Sequence, residues 1–303
     1  MKNIGRIIKS TGGLYHVADS TETNRITECR AKGTFRKDKI VPLVGDMVEY
    51  EAEEKGDGTI TGVLPRKNAL IRPAVANVDL LCIIVAAAEP MPDLYMLDKL
   101  TAVATHNAVD IFMIINKADI ADSKYLEDVY GKAGIKTIVM STVETDSYDE
   151  AKKEILAAIN GKISFFTGAS GVGKTSLINL LFPGFDLVTG ILSKKISRGK
   201  HTTRCTELYK TNETSYIGDT PGFSMLEVAT FRLIPKDGLV ASFPDIAKFA
   251  SNCKYKSCTH LCEEGCQVIK AVEGGEIVPS RHESYKLLFD ELKHTNDWDV
   301  KNN

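Results

Sequence analysis

The sequence lacks any hydrophobic run long enough to cross a membrane. Its longest uninterrupted apolar stretch, residues 80–88, is far shorter than the roughly 20 residues that a membrane-spanning helix needs. The first residues, Met-Lys-Asn-Ile-Gly-Arg, also lack the apolar core of a signal peptide. We therefore expect a cytoplasmic protein with no membrane partner.

An excess of charge of one sign is missing too. The chain has 38 Lys and Arg against 40 Asp and Glu, which gives a formal net charge of −2. This balance excludes a global attraction to nucleic acid, so such a partner would have to meet local patches. With 303 residues, 43% of them hydrophobic, the composition is that of a globular protein with two or three domains.

The seven cysteines do not form an even, regularly spaced set, which argues against a disulfide framework. Four of them lie between Cys253 and Cys266. Cysteine and histidine at this spacing suit a closed, tetrahedral, structural Zn²⁺ site. The alternative is a helical hairpin with incidental cysteines. The predicted ligands are Cys253, Cys258, His260 and Cys266, whereas Cys262 is spare and has no assigned role.

Residues 168–175 fit the phosphate-binding loop G-x-x-x-x-G-K-[S/T]. A short buried-strand pattern over residues 162–167 precedes the loop, and a helix pattern over residues 176–181 follows it. Lys174 can reach the β and γ phosphates, and the Thr175 hydroxyl can ligate Mg²⁺. A glycine-rich turn without a ligand is the alternative. We expect nucleotide contacts from Gly168, Ala169, Ser170, Gly171, Val172, Gly173, Lys174, Thr175 and Ser176.

Residues 116–119, Asn-Lys-Ala-Asp, fit N-K-x-D and follow a predicted buried strand over residues 110–115. Open α/β sheets bind ligands at this end of a parallel strand. Asp119 there can accept two hydrogen bonds from the N1–H and N2–H₂ edge of guanine, which adenine does not offer, and such a site rejects the wrong base by about 10⁴ or more. Alone, the tetrapeptide is more typical of a helix cap. Beside a phosphate loop it predicts GTP rather than ATP, with contacts from Asn116, Lys117 and Asp119.

Ser141 and Thr142 follow the next predicted strand, over residues 135–140, and could offer backbone N–H groups to the guanine O6. Ser147 and Glu150 form a capping box for the helix after that strand.

Two segments after the phosphate loop have the character of nucleotide switches. Residues 190–204 contain five Lys and Arg and no acid, and a threonine there would meet Mg²⁺ and the γ-phosphate. Thr202 and Thr203 are the candidates, with Thr203 slightly favoured, and a flexible basic loop is the alternative. Residues 219–222 fit D-x-x-G. Asp219 would act through the Mg²⁺ shell, and the Gly222 N–H would touch the γ-phosphate.

The order of these motifs is unusual, because N-K-x-D precedes the phosphate loop, whereas in the usual P-loop GTPase it comes last. The same sheet can still form, since circular permutation is tolerated where chain ends lie close together. We therefore predict a circularly permuted GTPase α/β domain over residues 67–228. A C-terminal, mostly helical, zinc-binding domain would occupy residues 229–303.

Residues 1–66 predict a small β barrel of the OB or SH3 kind. Strand patterns cover residues 4–9, 14–17, 28–35, 46–50 and 58–63. Basic residues cluster around Phe35, which indicates either an RNA-contacting surface or a solvated hairpin. The cluster comprises Arg30, Lys32, Arg36, Lys37 and Lys39.

The C-terminal domain should end in a helix that begins with a capping box at residues 280–283. Its predicted apolar face comprises Tyr285, Leu288, Phe289 and Leu292. RNA binding by this domain would depend on Lys254, Lys256 and Arg281.

Taken together, these motifs resemble one family, the ribosome small-subunit-dependent GTPases of the RsgA or YjeQ type. The resemblance covers essentially the whole chain and includes Gly-Lys-His-Thr-Thr at residues 199–203. It implies an enzyme that hydrolyses GTP to GDP and phosphate while bound to the 30S ribosomal subunit late in maturation. The barrel and the zinc domain would contact 16S rRNA. We expect a monomer.

Phe223 occupies the position where Ras-type enzymes carry the glutamine that orients the attacking water. Hydrolysis should therefore be slow in isolation, and His201 is our candidate for positioning the water once the ribosome orders the basic loop. The alternative is that His201 contacts only RNA or solvent. The predicted catalytic set is Lys174, His201, Thr203 and Asp219.

Two other functions remain open at this point. One is a permuted GTPase for another ribosomal or RNA assembly, and the other is a zinc-bearing RNA-binding switch with little turnover.

Overall fold

The computed structural model describes residues 2–22, 25–37, 40–53, 56–71, 73–143, 148–183, 206–219, 228 and 233–293. The chain divides into two compact units. The first comprises Met1–Leu80, Ile159–Phe166 and Thr189–Pro221, and the second comprises Leu81–Ala158, Thr167–Val188 and Gly222–Asn303. Within the described ranges, every helix is too short or too polar to span a bilayer.

A closed five-stranded barrel opens the first unit. Its strands are β1 (Asn3–Thr11), β2 (Leu14–Asp19), β3 (Ile26–Ala31), β4 (Met47–Glu51) and β5 (Gly58–Val63). They are hydrogen-bonded in the order β1-β2-β3-β5-β4, with β1 closing on β4 and only the β3–β5 pair parallel. Alternate side chains point inward and form a core of Ile7, Val17, Val48, Tyr50 and Ile60. The predicted barrel is confirmed.

The third predicted strand, residues 28–35, is wrong at its C-terminal end. The strand β3 stops at Ala31, and Thr34–Lys37 forms a helical turn, α1. Gly33 interrupts the extended backbone, and the Phe35 N–H bonds to the Lys32 carbonyl at 3.0 Å. The Phe35 ring is buried, with 7% of its surface exposed, so it is not the exposed stacking surface that the surrounding basic residues suggested.

A six-stranded sheet carries the α/β part of the fold, and its strands are largely those that the apolar patterns predict. They are β8 (Leu80–Ala86), β9 (Asp110–Asn116), β10 (Lys136–Val139), β11 (Ile163–Thr167), β12 (Leu208–Lys210) and β13 (Tyr216–Asp219). The strand order is β10-β9-β8-β11-β13-β12. The pairs β9–β10 and β11–β13 are parallel, and β12 forms an antiparallel hairpin with β13. A two-stranded ribbon, β6 (Ala69–Leu70) and β7 (Val75–Ala76), precedes the sheet.

Helices of the second unit follow the apolar periodicity of the sequence. They are α2 (Leu94–His106), α3 (Lys124–Lys132), α4 (Tyr148–Ile159), α5 (Lys174–Leu181), α6 (Pro244–Ala250), α7 (Gln267–Glu273) and α8 (Pro279–Lys293). Two short 3₁₀ turns, Lys236–Gly238 and Val240–Ser242, precede α6. The apolar residues Ala151, Ile155 and Ile159 of α4 are buried, whereas the predicted cap Ser147 lies outside the described residues.

The start of α8 differs from the prediction. The helix begins at Pro279, one residue before the expected cap, because proline favours the first helical position. The Ser280 hydroxyl has no hydrogen-bond partner among the described residues, and Glu283 pairs with Lys286 at 2.6 Å instead. The predicted capping box therefore does not form.

The buried position of Phe35 generates a stability prediction. Phe35→Ala should lower the free energy of unfolding by about 3 kcal/mol, because it leaves a cavity under the barrel. Ile26→Ala, on the same barrel but more than half exposed, should change it by less than about 0.5 kcal/mol. Urea unfolding curves of the two variants provide the comparison, and equal losses would contradict the placement of Phe35.

Candidate nucleotide site and metal centre

The phosphate-loop motif connects β11 to α5. The strand β11 is fully buried, and α5 begins directly at Lys174. The loop residues Ala169, Ser170 and Gly171 are exposed, while Val172 packs inside. Thr175 and Ser176 are exposed at the first turn of the helix, where free backbone N–H groups and the helix dipole favour an anion. The loop thus presents an anion-binding surface to solvent.

Two glycines of the loop are required by close contacts. Gly173 caps α5 with a left-handed φ of 93°, and a Cβ there would lie 2.2 Å from the Asn116 side-chain nitrogen. A Cβ at Gly168 would lie 2.4 Å from the Ile84 carbonyl oxygen. Neither position tolerates a larger residue without displacing a neighbour, so the two glycines let the loop approach β8 and the end of β9.

Asn116 joins the N-K-x-D segment to the phosphate loop. It is the last residue of β9 and is 1% exposed. Its side-chain nitrogen donates to the Val172 carbonyl at 2.8 Å, and its side-chain oxygen accepts from the Thr142 N–H at 3.1 Å. One buried amide therefore holds three segments that are far apart in sequence, and it is satisfied at both ends.

The rest of the N-K-x-D segment turns outward. Lys117 has a left-handed φ of 64°, and its ammonium donates to the Glu89 carbonyl. Asp119 lies exposed in the turn that follows. Because the Thr142 N–H is taken by Asn116, it is not the free donor to guanine O6 that the sequence suggested. Ser141 is buried and accepts from the Val143 N–H at 3.1 Å.

Several predicted switch residues cannot be compared with this geometry. His201, Thr202, Thr203 and Gly222 lie outside the described residues. Asp219 ends β13, but only its backbone is described.

A cavity of about 170 Å³ lies beside the phosphate loop. The end of β8, the segment leading into α2 and the first turns of α2 form its walls, which are largely apolar. The lining includes Met96, Leu97 and Leu100 of α2 and Gly168 and Val172 of the phosphate loop. Helix α2 is thus the neighbour of the phosphate loop on this side.

The structure brings the four predicted metal ligands together. The ligand atoms of Cys253, Cys258, His260 and Cys266 all lie within 4.8 Å of one another. The Cys253 Sγ lies 3.9 Å from the Cys266 Sγ, and these sulfurs lie 3.5 and 3.6 Å from the His260 Nδ1. A tetrahedral zinc would need edges of roughly 3.8 Å between sulfurs and 3.5 Å between sulfur and nitrogen. The donor set and its spacing fit that ion.

Burial favours the neutral forms of these ligands. It raises the pKa of the Cys258 thiol to about 12, with the neighbouring Cys266 and Cys253 adding to the effect. It also lowers the pKa of His260, which favours the neutral imidazole that can ligate a metal. Metal binding must therefore displace thiol protons.

Glu263 organises the loop between the ligands, and the sequence analysis missed it. Its carboxylate accepts from the N–H groups of Thr259, Leu261 and Cys262, at 2.6, 3.0 and 3.2 Å. The Thr259 hydroxyl also donates to this carboxylate. Although burial opposes ionisation, this hydroxyl and the backbone N–H groups lower the pKa of Glu263 to about 2. The carboxylate therefore stabilises the loop above its unfolded pKa, and that stabilisation is lost as pH falls toward 2. No local spacing identifies such a residue.

Arg281 is placed differently from the expectation that it would contact RNA. It is 1% exposed and pairs with Asp98 and Asp245. A guanidinium enclosed in this way cannot reach a nucleic acid. Lys254 and Lys256 keep the expected position on the loop between Cys253 and Cys258.

The chain matches two family models along most of its length. The model of the RsgA GTPase matches residues 63–229, and that of the RsgA N-terminal domain matches residues 4–60. These two segments correspond to the α/β part and the barrel described above.

Similar proteins cover nearly the whole chain. The small ribosomal subunit biogenesis GTPase RsgA of Caldanaerobacter subterraneus is 42% identical over 98% of this chain and 98% of its own. Its counterpart in Bacillus subtilis is 37% identical over 95% and 97%.

Two solved structures share the fold. YjeQ from Thermotoga maritima superimposes with a TM-score of 0.79 at 32% identity, covering 98% of this chain and 100% of that one. YloQ, a circularly permuted GTPase, gives 0.77 at 32% identity, with coverage of 98% and 96%. Because the two family models match most of the chain and the relatives are 37–42% identical over nearly all of it, this chain belongs to the RsgA family of GTPases.

Proposed function

We propose that this chain binds GTP at the phosphate loop and the N-K-x-D segment and hydrolyses it when bound to the small ribosomal subunit. The observation that carries the proposal is the buried Asn116 amide, which holds the two motifs side by side. The names of the similar proteins support a role in small-subunit biogenesis. Such a protein would act in the cytoplasm as a monomer.

The proposed nucleotide contacts follow the exposed groups of the site. The N–H groups of residues 169–176 would hold the phosphates, with Lys174 on the β and γ oxygens. The exposed carboxylate of Asp119 would accept the guanine N1–H and N2–H₂ edge. Lys117 would flank the base, and the Ser141–Thr142 segment would border its O6 side.

The remaining proposed contacts involve the Mg²⁺ ion and the two switch segments. Thr175 would ligate Mg²⁺, which when bound neutralises charge on the β and γ phosphates. Thr203 or Thr202, Asp219 and the Gly222 N–H would complete the γ-phosphate site.

We further propose that His201 positions the attacking water. Phe223 has no group that can hydrogen-bond water, so hydrolysis by the isolated chain should be slow. Ordering of the basic loop by the ribosome would bring His201 to the γ-phosphate, because switch loops take their active form only with the right partner.

The Cys₃His cluster is proposed to hold one structural Zn²⁺, which would fix the loop between its ligands without an open coordination position. That loop carries Tyr255, about half exposed, with the Lys254 ammonium 5.1 Å from its ring centroid. Exposed aromatic rings beside lysines suit stacking on unpaired RNA bases. We therefore propose this loop as one contact with 16S rRNA.

The matches of the family models support a division near residue 66. We propose the barrel over residues 1–66, the permuted GTPase domain over residues 67–228 and the zinc-binding domain over residues 229–303.

Single-turnover GTP hydrolysis tests the function as a whole. The full chain should hydrolyse GTP slowly alone and at least about tenfold faster with purified 30S subunits. His201→Ala should bind GTP and the subunit normally but lose that stimulation. Stimulation by 50S subunits instead, or none by either particle, would contradict the proposed partner. An unchanged His201→Ala rate would remove His201 from the mechanism.

The contact between Gly173 and Asn116 generates a second prediction. Gly173→Ala should weaken GTP binding about tenfold or more, because the new Cβ clashes with Asn116 and α5 loses its left-handed cap. Gly131→Ala is the matched control, since nothing lies within 4 Å of its added Cβ. Gly131 lies in α3, so the Gly131→Ala variant should bind GTP normally and gain roughly 0.5–1 kcal/mol in its free energy of unfolding. Calorimetric titration with GTP measures both, and equal affinities would contradict the close approach.

Cys262 permits a matched test of the metal centre. Cys266→Ser should reduce bound zinc from one ion per chain to nearly none, because a buried ligand is lost. Cys262→Ser should keep one ion, since Cys262 is exposed and lies outside the cluster. Elemental analysis of the purified proteins gives the ratio. Loss of zinc from the Cys262 variant would show that the ligand set is wrong.

A further inference from the structure

Helix α2 has two functionally different faces. Met96, Leu97 and Leu100 line the cavity beside the phosphate loop. Asp98 and Thr101, on the adjoining face of the same turns, are 0% and 2% exposed and meet the C-terminal helices. A shift of α2 that follows the phosphate loop must therefore also act on those helices.

Arg281 of α8 forms the contact at that second face. Its Nη1 donates to the Asp98 carboxylate at 2.8 Å and to the Thr101 hydroxyl at 3.2 Å. Its Nε and Nη2 form a fork with the Asp245 carboxylate of α6, at 3.1 and 3.0 Å. The guanidinium also lies 4.7 Å from the Phe243 ring centroid. One side chain thus fixes α2, α6 and α8 together.

A buried ion cluster of this kind is poor evidence for stability. Its desolvation cost is comparable to its Coulombic gain, and apolar replacements are often neutral or stabilising. What the cluster supplies is geometry, because the planar fork of arginine holds two carboxylates in fixed directions. The second tie between the same helices is more exposed, with Glu291 accepting from Lys99 at 3.0 Å and from Tyr95 at 2.7 Å.

The next residues of α8 hold the metal loop. His282 lies 2.7 Å, ring nitrogen to carbonyl oxygen, from the main chain of the ligand His260. The Tyr285 hydroxyl donates to the Thr259 carbonyl at 3.0 Å. The contact with α2 and the contact with the metal loop therefore begin at adjacent positions of one helix, Arg281 and His282. No flexible segment separates them.

We propose that Arg281 is a positioning residue that couples the nucleotide site to the Cys₃His loop through α2 and α8. The exchange of GDP for GTP at the phosphate loop shifts α2, and Arg281 carries that shift to the loop that bears Lys254 and Tyr255. This inference rests on the proposed function. It assigns to α8 the role of making the RNA-facing loop respond to the nucleotide.

Hydrogen exchange followed by mass spectrometry tests the coupling in the full, zinc-loaded chain. In the wild type, amides of residues 259–266 should exchange at rates that differ at least about threefold between GDP and a non-hydrolysable GTP analogue. Arg281→Lys keeps the charge but loses the fork, so the difference should fall below about 1.5-fold. Calorimetry should find the nucleotide affinity within twofold of the wild type. Lys286→Met, which removes only an exposed pair on the same helix, should keep the full difference.

A second variant covers the case in which Arg281→Lys does not fold. Asp98→Leu removes the charged contact with α2 and leaves Arg281 with only the Thr101 hydroxyl there, while its pair with Asp245 remains. It should reduce the nucleotide dependence below about 1.5-fold in the same way. A full difference in either folded variant would overturn the coupling. So would a wild-type metal loop that exchanges equally with GDP and the analogue, although calorimetry shows both to be bound. If neither nucleotide binds, the proposed function itself fails and this inference fails with it.

Discussion

The proposed nucleotide site depends on one buried amide, that of Asn116, which reaches the phosphate loop at a position where Gly173 has no side chain. Asn116 can bond to the Val172 carbonyl only because Gly173 has no Cβ, and a Cβ there would lie 2.2 Å from the amide nitrogen. A buried amide left without partners is costly, so the end of β9 and the phosphate loop hold each other in place. The same side chain takes the Thr142 N–H, which adds the third segment of the site.

This dependence explains why the order of motifs along the chain does not matter to the site. The contacts are made between strand ends, and a strand end is defined by its neighbours in the sheet rather than by its place in the sequence. In this chain the N-K-x-D segment comes before the phosphate loop, and the two still meet through Asn116. A permuted chain therefore preserves the geometry as long as β9 and the phosphate loop keep their positions.

The parts of the fold that the sequence could predict are those with strong local patterns. The barrel strands alternate, β8 is a continuous apolar run, and the four metal ligands occupy fourteen residues. Each pattern has a direct physical cause that neighbouring residues are enough to reveal. The phosphate loop and the N-K-x-D segment each follow a strand that the sequence predicts. The sequence could therefore predict which segments form the candidate site.

The contacts between segments could not be predicted in the same way. Composition and spacing suggested an exposed Phe35 and an RNA-facing Arg281, yet both are buried. A basic residue in a basic or neutral stretch is exposed by default, and only the tertiary fold shows the two carboxylates, 36 and 183 residues away, that enclose Arg281. The sequence analysis assigned the Thr142 N–H to the guanine base. Its actual acceptor, the Asn116 side-chain oxygen, is 26 residues away, so local sequence could not reveal it.

The same reasoning explains how α8 can serve two sites at once. A helix presents neighbouring residues about 100° apart, so Arg281 and His282 necessarily point in different directions. One direction meets the acidic residues of α2 and α6, and the other meets the backbone of the metal loop. Because Arg281 and His282 are adjacent on one rigid helix, these two side chains together set the distance from α2 to the metal loop. A metal that orders the loop therefore also determines where α8 can hold α2.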